Sequence, residues 1–149
     1  MPIAEVVMSW KQLPVMGAMA VGAVIASAPS VSAAPGDYQY VRTVSGAVRC
    51  VISADHVGCE RTSIDGFPGA PRSQSGPGNV NIAGVDADGT FNYGEGNIGG
   101  VDSGEVTLDY GRIFRINGWT VLPSFDGTRF TNDASGRGML VSIDGVTPF

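Results

Sequence analysis

Residues 108–143 alternate apolar runs with turn-forming pairs, and this is the clearest structural pattern in the chain. Asn-Gly and Asp-Gly pairs between apolar runs are typical of β-hairpins, because these residues tolerate the backbone angles of a tight turn. Asn117 with Gly118, and Asp126 with Gly127, therefore each predict a hairpin.

The first of these turns determines which residues face each other across the hairpin. It gives two cross-strand pairs whose large apolar side chains share one face: Ile116 with Trp119, and Phe114 with Val121. The second turn places Pro123 opposite Phe130, and because proline donates no backbone hydrogen bond, an edge or a bulge is expected there. After a loop at residues 132–138, a half-buried strand at residues 139–143 completes a four-stranded antiparallel meander. Its single apolar face must be covered by another part of the chain.

Upstream of the meander, short apolar runs alternate with Gly-, Pro- and Asp-rich turns. Further strands are predicted at residues 38–44, 48–62 (a hairpin), 80–85, 90–93 and 106–110. Two glycine-rich loops, residues 66–79 and 94–104, separate some of these strands. Residues 146–149 are expected to form a short tail, with Phe149 against the body. The prediction is an all-β domain, a small antiparallel barrel or sandwich of eight to ten short strands with a C-terminal meander and one disulfide hairpin.

The chain contains two cysteines, Cys50 and Cys59, on either side of a predicted turn at Ala54 and Asp55. Counting outward from that turn places them opposite each other as a non-hydrogen-bonded pair, with Cα atoms about 4.5–5.5 Å apart. We therefore predict a disulfide between them that sets the register of this hairpin and contributes about 2–3 kcal/mol of stability. A metal or redox site would need more ligands or a closer cysteine pair.

The N-terminal segment has the features of a secretory signal peptide. An uncharged apolar run at residues 15–28 is followed by small residues up to Ala33, so cleavage after Ala33 is expected. Translation from Met8 would give a more basic start. An uncleaved anchor is the alternative, although the run is shorter than the roughly 20 residues that cross a bilayer. The predicted organisation is a signal peptide at residues 1–33 and a secreted β domain at residues 34–149, with no stable membrane insertion after cleavage.

The net charge limits the classes of partner. The chain has a formal net charge of −5, and its only lysine, Lys11, lies in the predicted signal peptide. Nucleic acids and anionic membrane surfaces both require a basic face, so we expect neither as a partner.

An Asp-rich turn is the strongest metal-binding pattern in the sequence. Asp86, Asp88 and Gly89 match positions three, five and six of an EF-hand loop, and Glu95 matches position twelve. However, Gly84 stands at position one, where Asp is required, and neither flank can form a helix. A β-turn with Gly89 at positive φ explains the pattern, so no metal and no cofactor are expected.

No pattern predicts catalysis. His56 is the only histidine, and the hairpin places it at an exposed turn beside Asp55, whereas a catalytic histidine is normally held in a cleft by a third group. The sequence has no Gly-x-Ser-x-Gly motif. A carboxylate pair for glycoside hydrolysis is the alternative, but no spacing singles out two acids. We therefore predict a non-enzymatic domain without catalytic residues.

Aromatic side chains with nearby arginines suit recognition of a glycan or a partner protein. The pairing described above places Trp119 and Phe130 in the core. Phe125 adjoins a hairpin turn and is the aromatic expected to be most exposed. A binding surface is therefore predicted at this hairpin tip and the last loop, with these members: Phe125, Asp126, Arg129 and Arg137.

A two-cysteine hairpin followed by Phe-Pro-Gly-Ala-Pro at residues 67–71, together with the run DGTRFTND at residues 126–133, resembles small exported proteins of mycobacteria and related actinobacteria. Those relatives have no assigned catalytic activity, so the resemblance implies no site residues. Where they often carry His in the last loop, this chain has Arg137. The resemblance implies a secreted or cell-envelope protein. Our own prediction is that this protein binds an envelope glycan or protein through loops at one end. The alternatives are a small carboxylate-dependent hydrolase acting on envelope carbohydrate and a purely structural or antigenic secreted protein.

Overall fold

A computed structural model describes residues 30–31, 37–99 and 104–149. These residues form β-strands and loops without a helix, so none of them belongs to a helix able to cross a membrane. The all-β prediction is confirmed. Most of the predicted signal peptide, including its cleavage site at Ala33, lies outside the described residues.

The described residues form twelve strands. In chain order they are β1 (Ser30–Val31), β2 (Gln39–Thr43), β3 (Val48–Ile52), β4 (His56–Arg61), β5 (Ile82–Asp86), β6 (Phe91–Gly94), β7 (Val106–Leu108), β8 (Phe114–Ile116), β9 (Trp119–Ser124), β10 (Gly127–Asn132), β11 (Gly138–Ser142) and β12 (Gly145–Pro148). The sequence predicts eight to ten strands. The structure adds β1, which lies in the predicted signal peptide, and β12, which lies in the segment expected to be a tail.

The strands form two six-stranded sheets. Sheet A has the order β1-β8-β9-β10-β11-β12, and sheet B has the order β6-β5-β4-β3-β2-β7. The sheets pack as a sandwich and do not close into a barrel, which decides between the two predicted architectures. The facing side chains of the two sheets, together with Phe67 from a loop, form one hydrophobic cluster, whose largest members are Trp119, Phe67 and Phe130. Sheet B, which contains the cysteine hairpin, is therefore the cover that the apolar face of the meander requires.

The first predicted hairpin turn is confirmed. Asn117 and Gly118 both have positive φ, 50° and 83°, as a tight hairpin turn requires. The predicted cross-strand partners are also observed: Phe114 with Val121, Arg115 with Thr120, and Ile116 with Trp119. Here the sequence pattern alone is sufficient to assign the register.

The second predicted turn is displaced by one residue. Phe125 and Asp126 form the tip, Gly127 already belongs to β10, and Phe130 lies opposite Val121 and not opposite Pro123. The physical reason is close packing, because a Cβ atom at Gly127 would lie only 2.9 Å from the backbone oxygen of Val141. Glycine is therefore required inside the strand and not at the tip.

The segments on either side of the meander are both strands. β7, which precedes the meander, pairs in parallel with β2 of sheet B, where Leu108 is buried. The expected C-terminal tail is strand β12, antiparallel to β11. Ile143 lies in the turn before β12 and is exposed, so it does not join Met139 and Val141 in the core.

The disulfide hairpin is confirmed. Cys50 lies opposite Cys59, and Ile52 lies opposite Val57. The two cysteines are bonded, and their Cα atoms are 4.0 Å apart, closer than expected. Both are buried on the core face, so the disulfide is part of the inter-sheet core.

The first glycine-rich loop contributes to the core, which the sequence pattern did not predict. Phe67 is fully buried, and Ala70 is buried beside it. The backbone N–H of Phe67 donates to the carbonyl of Val80, and the N–H of Val80 donates to the carbonyl of Pro71. These bonds hold the loop against the sandwich, so that the loop buries an aromatic ring between the sheets.

Candidate functional site

A cleft of about 410 Å³ opens at one end of the sandwich. Three turns surround it: the β2–β3 turn at residues 43–47, the β9–β10 tip at residues 125–126, and the β11–β12 turn at residues 143–144. Val48, Thr128 and Val141 are buried residues that form part of its lining. Strands from both sheets therefore position this site.

Two aromatic rings stand at the cleft. Phe125 is 90% exposed, and its ring centroid lies 6.4 Å from that of Tyr110 in an edge-to-face arrangement. Val44 and Ile143, in two of the surrounding turns, are also exposed apolar side chains. A group of exposed apolar side chains beside a cleft is typical of a binding surface.

The charged groups of the cleft all carry the same sign. Asp126 and Asp144 line it, and none of the described lining residues is Lys or Arg. Ser124 and Ser142 add hydroxyl groups, each of which donates to a backbone carbonyl of its own turn, that of Gly127 or Gly145. The cleft therefore combines apolar, hydroxyl and carboxylate groups, a mixture that disfavours an anionic ligand.

The structure brings only two of the four predicted binding residues together. Phe125 and Asp126 line the cleft. Arg129 lies on the outer face of sheet A, where its guanidinium carbon is 3.6 Å from the centroid of the Phe149 ring, a cation–π contact. Arg137 lies at the opposite end of the sandwich, against Gly89 of the β5–β6 turn.

The sequence predicts that His56 lies at an exposed turn beside Asp55. In the structure its side chain instead contacts a residue of the neighbouring strand. Its Nδ1 atom is 2.7 Å from Oδ1 of Asp86 on the neighbouring strand. The imidazole lies over two glycines, since a Cβ atom at Gly58 or at Gly84 would be within 3.2 Å of it. Both side chains of the pair are more than 40% exposed, so the contact itself contributes little stability. The sequence signal that could have revealed this site is the two glycines on neighbouring strands beside His56.

The Asp-rich segment is a hairpin turn, as predicted. The N–H of Gly89 donates to the carbonyl of Asp86 at 2.9 Å, and Gly89 has a φ of 93°. A backbone hydrogen bond from Thr90 lowers the pKa of Asp88. Strands β5 and β6 occupy the flanks where an EF-hand would need helices. The described residues contain no group of three His, Cys, Asp or Glu side chains arranged for a metal ion.

Glu95 holds the first glycine-rich loop. Its carboxylate accepts hydrogen bonds from the hydroxyl of Ser75 at 2.7 Å and the backbone N–H of Gln74 at 2.9 Å. Hydrogen bonding to the hydroxyls of Ser73 and Ser75 lowers the pKa of Glu95. Glu95, which matches position twelve of the EF-hand pattern, therefore organises a loop in the structure.

No protein-family model, curated protein or solved structure matches this chain. The resemblance to exported actinobacterial proteins therefore stays a prediction.

Proposed function

We propose that this protein is a secreted, non-enzymatic binding module of the cell envelope that holds a glycan in the cleft beside Phe125. The observation that carries the proposal is the position of Phe125, which is 90% exposed at a cleft that also contains Tyr110. A phenylalanine ring so exposed contributes little to the stability of the fold. A ligand that covers the ring of Phe125 would explain why this side chain is exposed.

The chemistry of the cleft favours a glycan. The apolar C–H face of a sugar ring packs on an aromatic side chain, and sugar hydroxyls donate hydrogen bonds to carboxylates. Both kinds of group are present, since Phe125 and Tyr110 supply rings while Asp126 and Asp144 supply carboxylates. Because the described lining residues include no Lys or Arg, the glycan is neutral or carries amino groups.

Export is supported by the disulfide. Cys50 and Cys59 are bonded to each other, and disulfides persist mainly in oxidising compartments such as the cell exterior. The predicted signal peptide and the resemblance to exported actinobacterial proteins point the same way. Analysis of culture supernatant and cell-wall fractions with an antibody tests the location, and N-terminal sequencing of the exported form tests cleavage after Ala33.

A glycan array probed with the purified, oxidised protein tests the binding function. We expect binding to neutral or amino-bearing glycans that falls at least about tenfold in Phe125→Ala, because the stacking surface is lost. Tyr38→Ala is the matched control, since Tyr38 is also an exposed aromatic but does not line the cleft. Equal loss of binding in the two variants would contradict the proposal.

The competing function is hydrolysis of envelope carbohydrate by two carboxylates. The observation that favours it is that Asp126 and Asp144 line the same cleft. Incubation of the bound glycans with the protein, followed by product analysis, separates the two functions. Glycan cleavage that disappears in either Asp126→Asn or Asp144→Asn would overturn the binding proposal in favour of catalysis.

A further inference from the structure

Strand β6 is an edge of sheet B with free backbone groups. The N–H of Asp86 donates to the carbonyl of Thr90, so alternate residues of β5 bond toward β6. In this antiparallel pattern the N–H and C=O groups of Phe91 and Tyr93 point away from β5. They have no hydrogen-bond partner among the described residues.

The other sheet edges are short or blocked. β1 and β7 have only two and three residues, and β8, which becomes an edge of sheet A once the predicted signal peptide is removed together with β1, also has three. Next to β12, the N–H and C=O of Phe149 bond the backbone of Gly138. By the antiparallel alternation, the backbone groups of Val146 and Pro148 then point outward, and Pro148 has no N–H to donate. β6 has neither a proline nor a charged side chain to discourage pairing, although exposed edges in natural proteins usually carry such protection.

We propose that β6 pairs with β6 of a second copy of this chain, antiparallel across a two-fold axis at Asn92. In that register Phe91 of one copy lies opposite Tyr93 of the other. The outward N–H and C=O groups of these two residues then form hydrogen-bonded pairs on both sides of the axis. Sheet B continues from one copy into the next, so the outward N–H and C=O groups of β6 are hydrogen-bonded in both copies.

The side chains of β6 favour the same arrangement. Phe91 and Tyr93 point to the core side of sheet B, and their rings already meet edge to face at 4.9 Å. Across the axis these two rings meet the same two rings of the second copy and form a row of four. Cross-strand aromatic pairs of this kind stabilise antiparallel strands. On the other face of the strand, Asn92 of one copy lies opposite Asn92 of the second copy. Their two side-chain carboxamides can hydrogen-bond to each other.

The charges at the ends of β6 are also complementary. Beyond the strand, this register brings Glu95 of one copy toward the β5–β6 turn of the other, which contains Gly89. Arg137 packs on Gly89, and the described residues include no ion-pair partner for it. The Glu95 carboxylate, which also accepts hydrogen bonds from Ser75 and Gln74 of its own copy, is then placed to pair with Arg137 of the second copy on each side of the axis. This contact gives Arg137 a role separate from the glycan cleft.

Sedimentation velocity over a wide concentration range tests the proposal. We expect a reversible monomer–dimer equilibrium. Tyr93→Pro removes an outward N–H and should raise the dimer dissociation constant at least about tenfold beyond Tyr93→Val, which removes only the ring. Val146→Pro, the same change on the β12 edge, should leave the equilibrium unchanged. A protein that is monomeric at millimolar concentration, or a dimer unaffected by Tyr93→Pro, would overturn the proposal.

A charge reversal tests the register. Arg137→Glu should weaken the dimer several-fold, whereas Arg137→Lys, which keeps the positive charge, should weaken it less. Free-thiol titration and thermal unfolding of each variant verify that it folds. If Arg137→Glu leaves the dimer dissociation constant unchanged, β6 does not pair in this register.

Discussion

The indole Nε1 of Trp119 donates a hydrogen bond to the backbone carbonyl of Ser53 at 3.0 Å, which joins sheet A to the disulfide hairpin of sheet B. The side-chain amide of Asn117 adds a parallel link by donating to the carbonyl of Ile52 at 2.9 Å. The two hairpin turns at this end of the sandwich are therefore held together by side chains of the predicted Asn-Gly hairpin. Trp119 both fills the core and orients the two sheets.

Trp119→Phe should lower the free energy of unfolding by about 2–3 kcal/mol, because the hydrogen bond to the partly buried Ser53 carbonyl is lost and a cavity remains in the core. Chemical denaturation measures this change. Phe125→Leu is the control, and it should change stability by less than about 0.5 kcal/mol, since Phe125 is exposed. Equal stability of the Trp119 variant and the wild type would contradict the role of the indole.

Phe67→Ala should cost about 3–5 kcal/mol, because the ring is fully buried although it belongs to a loop. Denaturant unfolding provides the measurement. Ile64→Ala is a matched control three residues away, where the side chain is 75% exposed. A similar small effect of both substitutions would show that the loop does not pack between the sheets.

Gly84→Ala should destabilise the protein, because its Cβ atom would lie 2.8 Å from Cε1 of His56 and displace the imidazole from Asp86. The same change in a His56→Ala background should cost less, which gives a coupling energy of about 1 kcal/mol. Gly76→Ala, whose Cβ atom meets nothing closer than 3.9 Å, is the control. Additive effects at residues 56 and 84 would contradict the packing of His56 on Gly84.

The carboxyl group of Glu95 should titrate below its ordinary value of 4.5, because hydrogen bonds from Ser73 and Ser75 lower its pKa. The lowered pKa gives the sign of the pH dependence. The contacts are fully present above the ordinary pKa and are lost as the pH falls through the lowered one. An NMR titration that follows the Gln74 amide measures the pKa of Glu95. The pH-dependent change in the Gln74 signal should be absent in Glu95→Gln. A midpoint at or above 4.5 would contradict these hydrogen bonds.

The parts of the fold that sequence analysis predicted well are local. Asn117 with Gly118, and Cys50 with Cys59, lie on hairpins whose partners are adjacent in the chain, so counting residues outward from a turn gives the correct register. The Asp-Gly turn near Phe125 was displaced by one residue because the position of Gly127 depends on β11, a separate strand. Local turn preference cannot report such a contact.

The parts that were missed depend on long-range contacts. Phe67 stands among Pro, Gly and Ser residues with no alternating pattern, yet the open side of the sandwich buries its ring. His56 meets Asp86 thirty residues later in the chain, across a β4–β5 register that no turn signal specifies. For the binding residues, sequence analysis found Phe125 and Asp126 on one tip. It could not predict that Arg137 lies at the opposite end.

The most direct test of the glycan cleft is an NMR titration of the ¹⁵N-labelled protein with the glycan that binds best on the array. We predict the largest amide shifts at residues 43–48, 124–128 and 141–144, which surround the cleft, and their loss in Phe125→Ala. Tyr38→Ala should bind as the wild type does. Shifts centred on the outer face of either sheet, or saturable binding that leaves these three segments unperturbed, would contradict the assignment of the cleft as the binding site.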